Sequence, residues 1–396
     1  MNIQPYDKPP RHWPPKLTPF WFHVMRHMRD RDLRKNQIQQ VEVRGLEHLD
    51  GALRAGHGVL LTPNHSFHFD SYCLLRAADQ LRCPFYIMTA WQVFGMASPF
   101  GRWIMQRSGC FSVNREGADL EAFKTAVDIL QTKPNPLVIF PEGDVYHTNE
   151  RITPFREGAA AIAISAARKA DRPVVCVPAA LKCWYTQDPM PQVVKTLQVL
   201  EQRVWWRPAD NMPVAERIYR LAEGLLALKE YELLGASQQG TIAQRIKHLA
   251  ESVLGMHEQR LGITQPARLI PERVKEIRRR VIDQSSAADL TEERRRELAH
   301  DMNDMFFVTQ LYSYPGDYLV ESPSVERLAE TVDKLEEDVL GVPYPSVRAA
   351  RRCVVQLGPP VPVDGERGRK GGAEQLTETL ERAVQGMLDQ LTAERP

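Results

Sequence analysis

The sequence predicts an α/β fold followed by a long helical stretch, and three observations carry that expectation. Between residues 41 and 181, short apolar runs alternate with amphipathic segments, the pattern of strands covered by helices. From about residue 190 to 345 the chain turns to long, charged segments whose apolar residues recur every three or four positions. A strand pattern then returns at 352–360 and an amphipathic helix pattern at 373–391.

Taken in order, residues 1–16 are rich in proline and carry no periodicity. Leu17, Phe20, Trp21, Val24, Met25 and Met28 then form one helical stripe, with His23, Arg26, His27 and Arg29 off it. Such a helix either lies in a membrane interface or packs its stripe on the rest of the protein. Strands are expected at 41–44, 57–62, 84–89, 110–114, 136–140 and 173–181. Leu120, Phe123, Val127 and Leu130 mark a helix between two of them, and the small residues of 158–169 mark another that packs closely.

In the helical stretch, Val214, Ile218, Leu221, Leu225 and Leu228 repeat at four- and three-residue steps. Ile242, Ile246, Leu249, Val253 and Met256 repeat them after a turn at 235–240, which predicts an antiparallel hairpin. Further helices are expected at 271–283, 291–312 and 324–340, the last stopped by Gly341 and Pro343.

Composition bounds the function. With 396 residues, 43% hydrophobic and 26% charged, the chain has the material for a full core and is not a disordered one. A net charge of +1 gives no global field for nucleic acid, which is not an expected partner. The six cysteines form no CxxC pair and no metal quartet, so reduced, buried thiols and no bound metal are expected. The polar start is unlike a secretory signal, and no run approaches the roughly 20 apolar residues of a membrane span. The expected place is the cytoplasm, peripheral at a membrane surface.

The stretch Asn-His-Ser-Phe-His-Phe-Asp at 64–70 carries the chemistry. It puts His65 at a strand end and Asp70 at a helix start, a base and the carboxylate that orients it. Alone, that spacing is common. Three more stretches give it context: Gly-Cys-Phe-Ser-Val-Asn-Arg at 109–115, Phe-Pro-Glu-Gly at 140–143 and Val-Val-Cys-Val-Pro-Ala at 174–179. In order and spacing these resemble the four blocks of the glycerolipid acyltransferase family, which includes the lysophosphatidic acid acyltransferases. The lead-in at 43–49 looks similar too.

The resemblance covers about 41–185 and resumes near 347, where a strand ending in Gly-x-Pro and a last helix look like the family's domain closure. It implies a mixed sheet with flanking helices and a mainly α-helical insertion. The expected organisation is 1–40 as the N-terminal amphipathic region, 41–190 as the α/β core, 191–345 as the insertion and 346–396 as the closing strand and helix.

The implied reaction moves a fatty acyl group from an acyl thioester, on coenzyme A or an acyl carrier protein, to a hydroxyl of a lysophospholipid or related glycerol lipid. No cofactor is implied. His65 would take the hydroxyl proton, with Asp70 fixing its tautomer. A thioester is already activated, so neither Ser66 nor a cysteine is needed as a covalent nucleophile. By resemblance Arg115 would hold the acceptor headgroup, its forked donors suiting phosphate, in place of a surface salt bridge with Glu116. Glu142 would accept from glycerol hydroxyls, and Asn64, Gly109, Pro141 and Gly143 would complete the substrate-binding set.

Two departures stand out. Many members carry an arginine two positions after the FPEG glycine, whereas Gly143 is followed by Asp144 and Val145, so Arg156 or Arg151 would have to compensate. The phenylalanine of the second block stands one place early, leaving Ser112 where an aromatic is often found and predicting local repacking. Two rival readings exist: a metal-dependent hydrolase using His65, His68 and Asp70, and a non-catalytic lipid-binding or scaffold protein on the same fold.

Overall fold

The structure is a computed structural model and describes residues 11–115, 117, 119–267, 269–287, 289–320, 323–365 and 371–394. In chain order the elements begin α1 (Pro19–Val24), α2 (Arg26–Lys35), β1 (Ile38–Arg44), α3 (Leu46–Arg54), β2 (Gly58–Pro63), α4 (Asp70–Leu81), β3 (Tyr86–Ala90), α5 (Trp91–Met96), α6 (Pro99–Arg107) and β4 (Cys110–Val113). They continue with α7 (Leu120–Thr132), β5 (Leu137–Val138), α8 (Gly158–Ala167) and β6 (Val174–Tyr185). The helical stretch is α9 (Met190–Trp205), α10 (Val214–Leu234), α11 (Ile242–Leu261), α12 (Ile270–Ser285), α13 (Glu292–Tyr312) and α14 (Val325–Leu340). The chain closes with β7 (Arg351–Leu357), β8 (Val361–Pro362) and α15 (Gly372–Ala393).

The strands form one mixed sheet in the order β1-β7-β6-β2-β5-β3-β4, with β8 pairing on β6. From β6 to β4 neighbouring strands are parallel, β7 runs antiparallel to β6, and β1 is parallel to β7. The chain therefore leaves the sheet at β6 and returns at β7, between β6 and β1, so the six helices interrupt the sheet's sequence. Every residue of β2 is buried, because it has a strand on each side and helices over both faces. Val59 and Leu61 face the cluster with α2, α3 and α4, and Leu60 faces the one with α7, α8 and α15. Each such fully buried aliphatic contributes roughly 1.5–3 kcal/mol.

The insertion has two apolar clusters of its own. One joins α10 to α13 through residues such as Leu249, Val253, Ile277 and Met305. The other joins α9, α10 and α14 through Leu197, Leu221 and Val332. Caps set the helix ends: a capping box of Thr241 and Gln244 starts α11, Ser324 starts α14, and Gly235 and Gly341 end α10 and α14 in left-handed conformation. Where α14 meets the core it buries charge, since Arg348 pairs with Asp333 at 2.8 Å and with Glu336 while donating to Thr196.

Several local expectations need correction. The N-terminal stripe is not one helix face: the helix breaks at Met25, which resets the phase. Phe22 and Arg29, both off the stripe, are buried, whereas Phe20 and Val24 are exposed. Arg29 is inside because it donates to Phe22 O at 2.7 Å and pairs with Asp79 at 2.6 Å. The fifth expected strand pairs only over Leu137–Val138, and α3, α5, α6 and α9 are additional helices.

Residues 1–10 of the proline-rich lead lie outside the described residues. The part from 11 covers the edge strand β4, where Ser112 N donates to Trp13 O at 3.0 Å and Trp13 N to Ser112 Oγ at 2.7 Å. Trp13 stacks on Phe94, centroids 5.3 Å apart. Ser112 is thus the repacking that the displaced phenylalanine predicts: its hydroxyl accepts from the covering segment.

Candidate active site

The loops after β2, β4 and β5 leave the same end of the parallel part of the sheet, where α/β folds place their ligand crevices. They open on a cavity of about 1170 Å³. One part of its lining is mainly apolar, with Met25, Met28, Leu75, Val93, Ile104 and Met105, and another is charged with both signs, with Arg115, Arg156 and Lys275 beside Asp144, Glu157 and Glu272. His65 is part of its lining.

Asp70 is the first residue of α4 and is fully buried. Its Oδ2 accepts from Phe67 N at 2.8 Å and lies 3.1 Å from His65 Nδ1. The Asp70 carboxylate accepts from Nδ1 and so favours the tautomer with its proton there. Nε2 of His65 is then the basic nitrogen. The imidazole also stacks on Phe140, centroids 4.2 Å apart, so its plane is held from two directions.

Glu142 is buried beside this pair and holds it through the backbone. Its Oε1 accepts from His65 N at 2.6 Å and its Oε2 from Thr153 N at 2.9 Å. Burial pushes its pKa up to about 7, against the pull of those two N–H donors. Both oxygens face the protein, so Glu142 braces the two loops, where the sequence suggested a contact to a glycerol hydroxyl.

Arg115 and Arg156 both line the cavity in its charged part. Arg115 donates to Gly143 O and lies 3.5 Å from Asp144. Glu116, the alternative partner, lies outside the described residues. Asp144 Oδ1 also accepts from Val145 N at 2.9 Å. Val145 stands where many members carry the arginine, and Asp144 before it faces Arg115. Arg156 N donates to Pro141 O at 2.8 Å, and its side chain crosses Gly143, where a Cβ would sit 2.6 Å from Nε. With φ at +81°, Gly143 is required both for the turn and for that crossing.

Two residues expected to bind substrate face inward instead. Asn64 is buried and its amide clamps β6, accepting from Leu181 N at 2.7 Å and donating to Leu181 O at 3.1 Å. Gly109 has φ +94°, and a Cβ there would lie 2.4 Å from Phe85 O, so it serves chain approach at the start of β4. Arg151 pairs with Asp317 at 2.6 Å. Ser66 is buried with its hydroxyl donated to Thr148 O at 3.0 Å.

His68 does not join His65 and Asp70. Its Nε2 is 2.6 Å from Glu337 Oε1, and His147 Nε2 is 3.1 Å from the same oxygen. His68, His147 and Glu337 are the residues whose spacing suits a metal ion among those described. Sequence reasoning missed Glu337, which stands in an unremarkable helical repeat, and the cavity residues that α12 supplies. Among the described residues no helix is long and apolar enough to cross a membrane.

A protein-family model described as Acyltransferase matches residues 40–182, which hold His65, Asp70, Arg115, Glu142 and Arg156. No curated protein matches the chain.

Proposed function

Residues 40–182 are an acyltransferase domain of the glycerolipid acyltransferase family, and from that premise we propose that this protein transfers a fatty acyl group from an acyl thioester to a hydroxyl of a lysophospholipid or related glycerol lipid. The observation that carries the proposal is the His65–Asp70 pair, 3.1 Å apart, with His65 in the wall of a cavity lined by apolar side chains and by charged ones of both signs. An acyl chain suits the apolar part beside Met28, Leu75 and Ile104. An anionic headgroup suits the part with Arg115, Arg156 and Lys275.

In the proposed reaction the acceptor hydroxyl gives its proton to His65 Nε2 while its oxygen attacks the thioester carbonyl. Asp70 stabilises the imidazolium that forms. The tetrahedral intermediate collapses by breaking the carbon–sulfur bond, and the departing thiolate takes the proton back from His65. The ester, the free thiol and neutral His65 remain, so the cycle balances with no covalent enzyme intermediate. Donors on coenzyme A and on acyl carrier protein satisfy this chemistry equally.

The exposed Phe20, Val24, Met96 and Phe100, with Trp21 and Trp103 in edge contact at 5.0 Å, support peripheral membrane association beside the apolar part of the cavity. The test is incubation with both donor types and a panel of lysophospholipids, glycerol 3-phosphate and neutral hydroxylated lipids, with lipid vesicles present. A new ester that disappears with His65→Ala supports the proposal. Folded wild type that makes no product with any pair overturns it.

A further inference from the structure

We propose that His68, His147 and Glu337 form a binding site for a divalent first-row transition ion, with Zn²⁺ as the leading candidate. The three residues come from three separate elements: the loop between β2 and α4, the loop after β5, and α14 of the insertion. Their ligand atoms all lie within 4.8 Å of one another. Glu337 and His147 are buried, and His68 keeps part of its ring at the cavity wall. Both imidazoles present the same nitrogen, Nε2, to the same carboxylate.

The donor set selects the class of ion. Two imidazoles and one carboxylate suit Zn²⁺ and its first-row neighbours, whereas Ca²⁺ and Mg²⁺ take oxygen ligands. Bonds of about 2.0–2.1 Å in a tetrahedron put donor atoms roughly 3.3 Å apart. The His147–Glu337 distance of 3.1 Å is close to that spacing, and the His68–Glu337 distance of 2.6 Å reaches it by a side-chain movement of under about 1 Å. The fourth position falls to water on the cavity side, where His68 is partly exposed.

The surroundings hold the ligands in place. His147 adopts the left-handed conformation, φ +53°, which a non-glycine residue keeps only where its surroundings hold it. Two residues on, Asn149 is pinned by donating to Cys183 O at 2.7 Å and accepting from Cys183 N at 2.8 Å. Lys334, 3.9 Å from Glu337 Oε2, is bound to Asp338 at 2.9 Å. An ion here would fasten the insertion to the two loops that carry His65 and Glu142. The site is independent of the proposed acyl transfer.

The test titrates Zn²⁺ and Co²⁺ into the chelator-treated full chain, followed by calorimetry and the visible absorption of Co²⁺. One equivalent per chain is expected, with affinity at least about tenfold lower in Glu337→Gln and in His147→Asn. Glu337→Gln keeps a hydrogen-bond acceptor between the imidazoles, so it separates ion binding from a hydrogen-bonded tie. X-ray absorption of the Zn²⁺ form of the wild type should give two imidazoles and oxygen ligands, a readout that needs no variant to fold. Less than stoichiometric binding, an all-oxygen shell, or unchanged affinity in both folded variants would overturn the proposal.

Discussion

His65 and His68 are three residues apart, and each faces a fully buried carboxylate, yet the two carboxylates reach them from different parts of the molecule. Asp70 is five positions from His65 and arrives with the first turn of α4. Glu337 is 269 positions from His68 and arrives only when the insertion docks. Near His65 the polar groups are held within the α/β core: Phe67 N by Asp70 of the same loop, and His65 N by Glu142 of the loop after β5. Near His68 they are held by α14, which brings Glu330, Asp333, Glu336 and Glu337 into the interface and meets Arg348 and Arg351 there. One region is preformed by local geometry, and the other exists only through docking.

The largest expected effect tests the local region. His65→Ala should reduce the turnover of the proposed transfer by about 10²–10⁴-fold, the usual contribution of a positioned base, with the far-ultraviolet spectrum unchanged. Asp70→Asn should fall in the same range, because the amide can hold the ring in the wrong tautomer. If transfer survives His65→Ala at near wild-type rate, the base lies elsewhere and the comparison loses its first term.

The docked region should yield stability instead. Arg348→Met leaves Glu336 without its arginine and Asp333 with only Arg351 at 3.6 Å, and breaking a buried pair from one side costs about 3–5 kcal/mol. Urea unfolding measures it. A cost under 1 kcal/mol would mean that water enters this interface and that the charges are not truly buried.

The same contrast explains what could be read from the sequence. The His65–Asp70 pair is legible because strand end and helix start are local events with local signals. The sheet's alternation is legible for the same reason, and the return of a strand at β7 is visible as a change of period. Asn64 and Gly109 show the limit. Their motifs mark positions that the fold needs, but spacing does not say whether a side chain points to the cavity or to Leu181 O, or that Phe85 O leaves no room for a Cβ. The N-terminal stripe misled because the break at Met25 has no glycine or proline to announce it. Glu337 and His147 were invisible as a pair, since 190 residues separate them and each sits in ordinary surroundings.

Glu142, which ties the loop of His65 to Thr153 in the loop after β5, gives a prediction in pH. Its ordinary value of 4.5 is raised to about 7 by burial. Below pH 4.5 it is protonated in both folded and unfolded chains. Between 4.5 and 7 only the folded chain keeps the proton, so stability falls as pH rises through that window and levels off above it, by roughly 3 kcal/mol in all. Glu330, raised to about 8 in the same direction, contributes to the slope of any variant that retains it. The difference between wild type and Glu142→Gln, from urea unfolding at pH 5, 6 and 7, isolates Glu142. A difference that does not change with pH would place its carboxylate in contact with water.

The smallest effect asks whether the insertion also has stability of its own, apart from docking. Thr241 starts α11 with a reciprocal cap: Gln244 N donates to its hydroxyl at 3.3 Å, and Thr241 N donates to Gln244 Oε1 at 3.0 Å. Both residues belong to the turn of the hairpin, on the cluster of α10 to α13 and away from α14. Thr241→Ala removes the hydroxyl and should cost about 1 kcal/mol. Because the loss is confined to that cluster, hydrogen exchange should rise in α11 and α10 first, while amides of β2 and α4 keep their protection. If β2 and α4 loosen equally, the insertion and the sheet unfold as one unit. The docking of α14, with its buried charges, would then be what joins them.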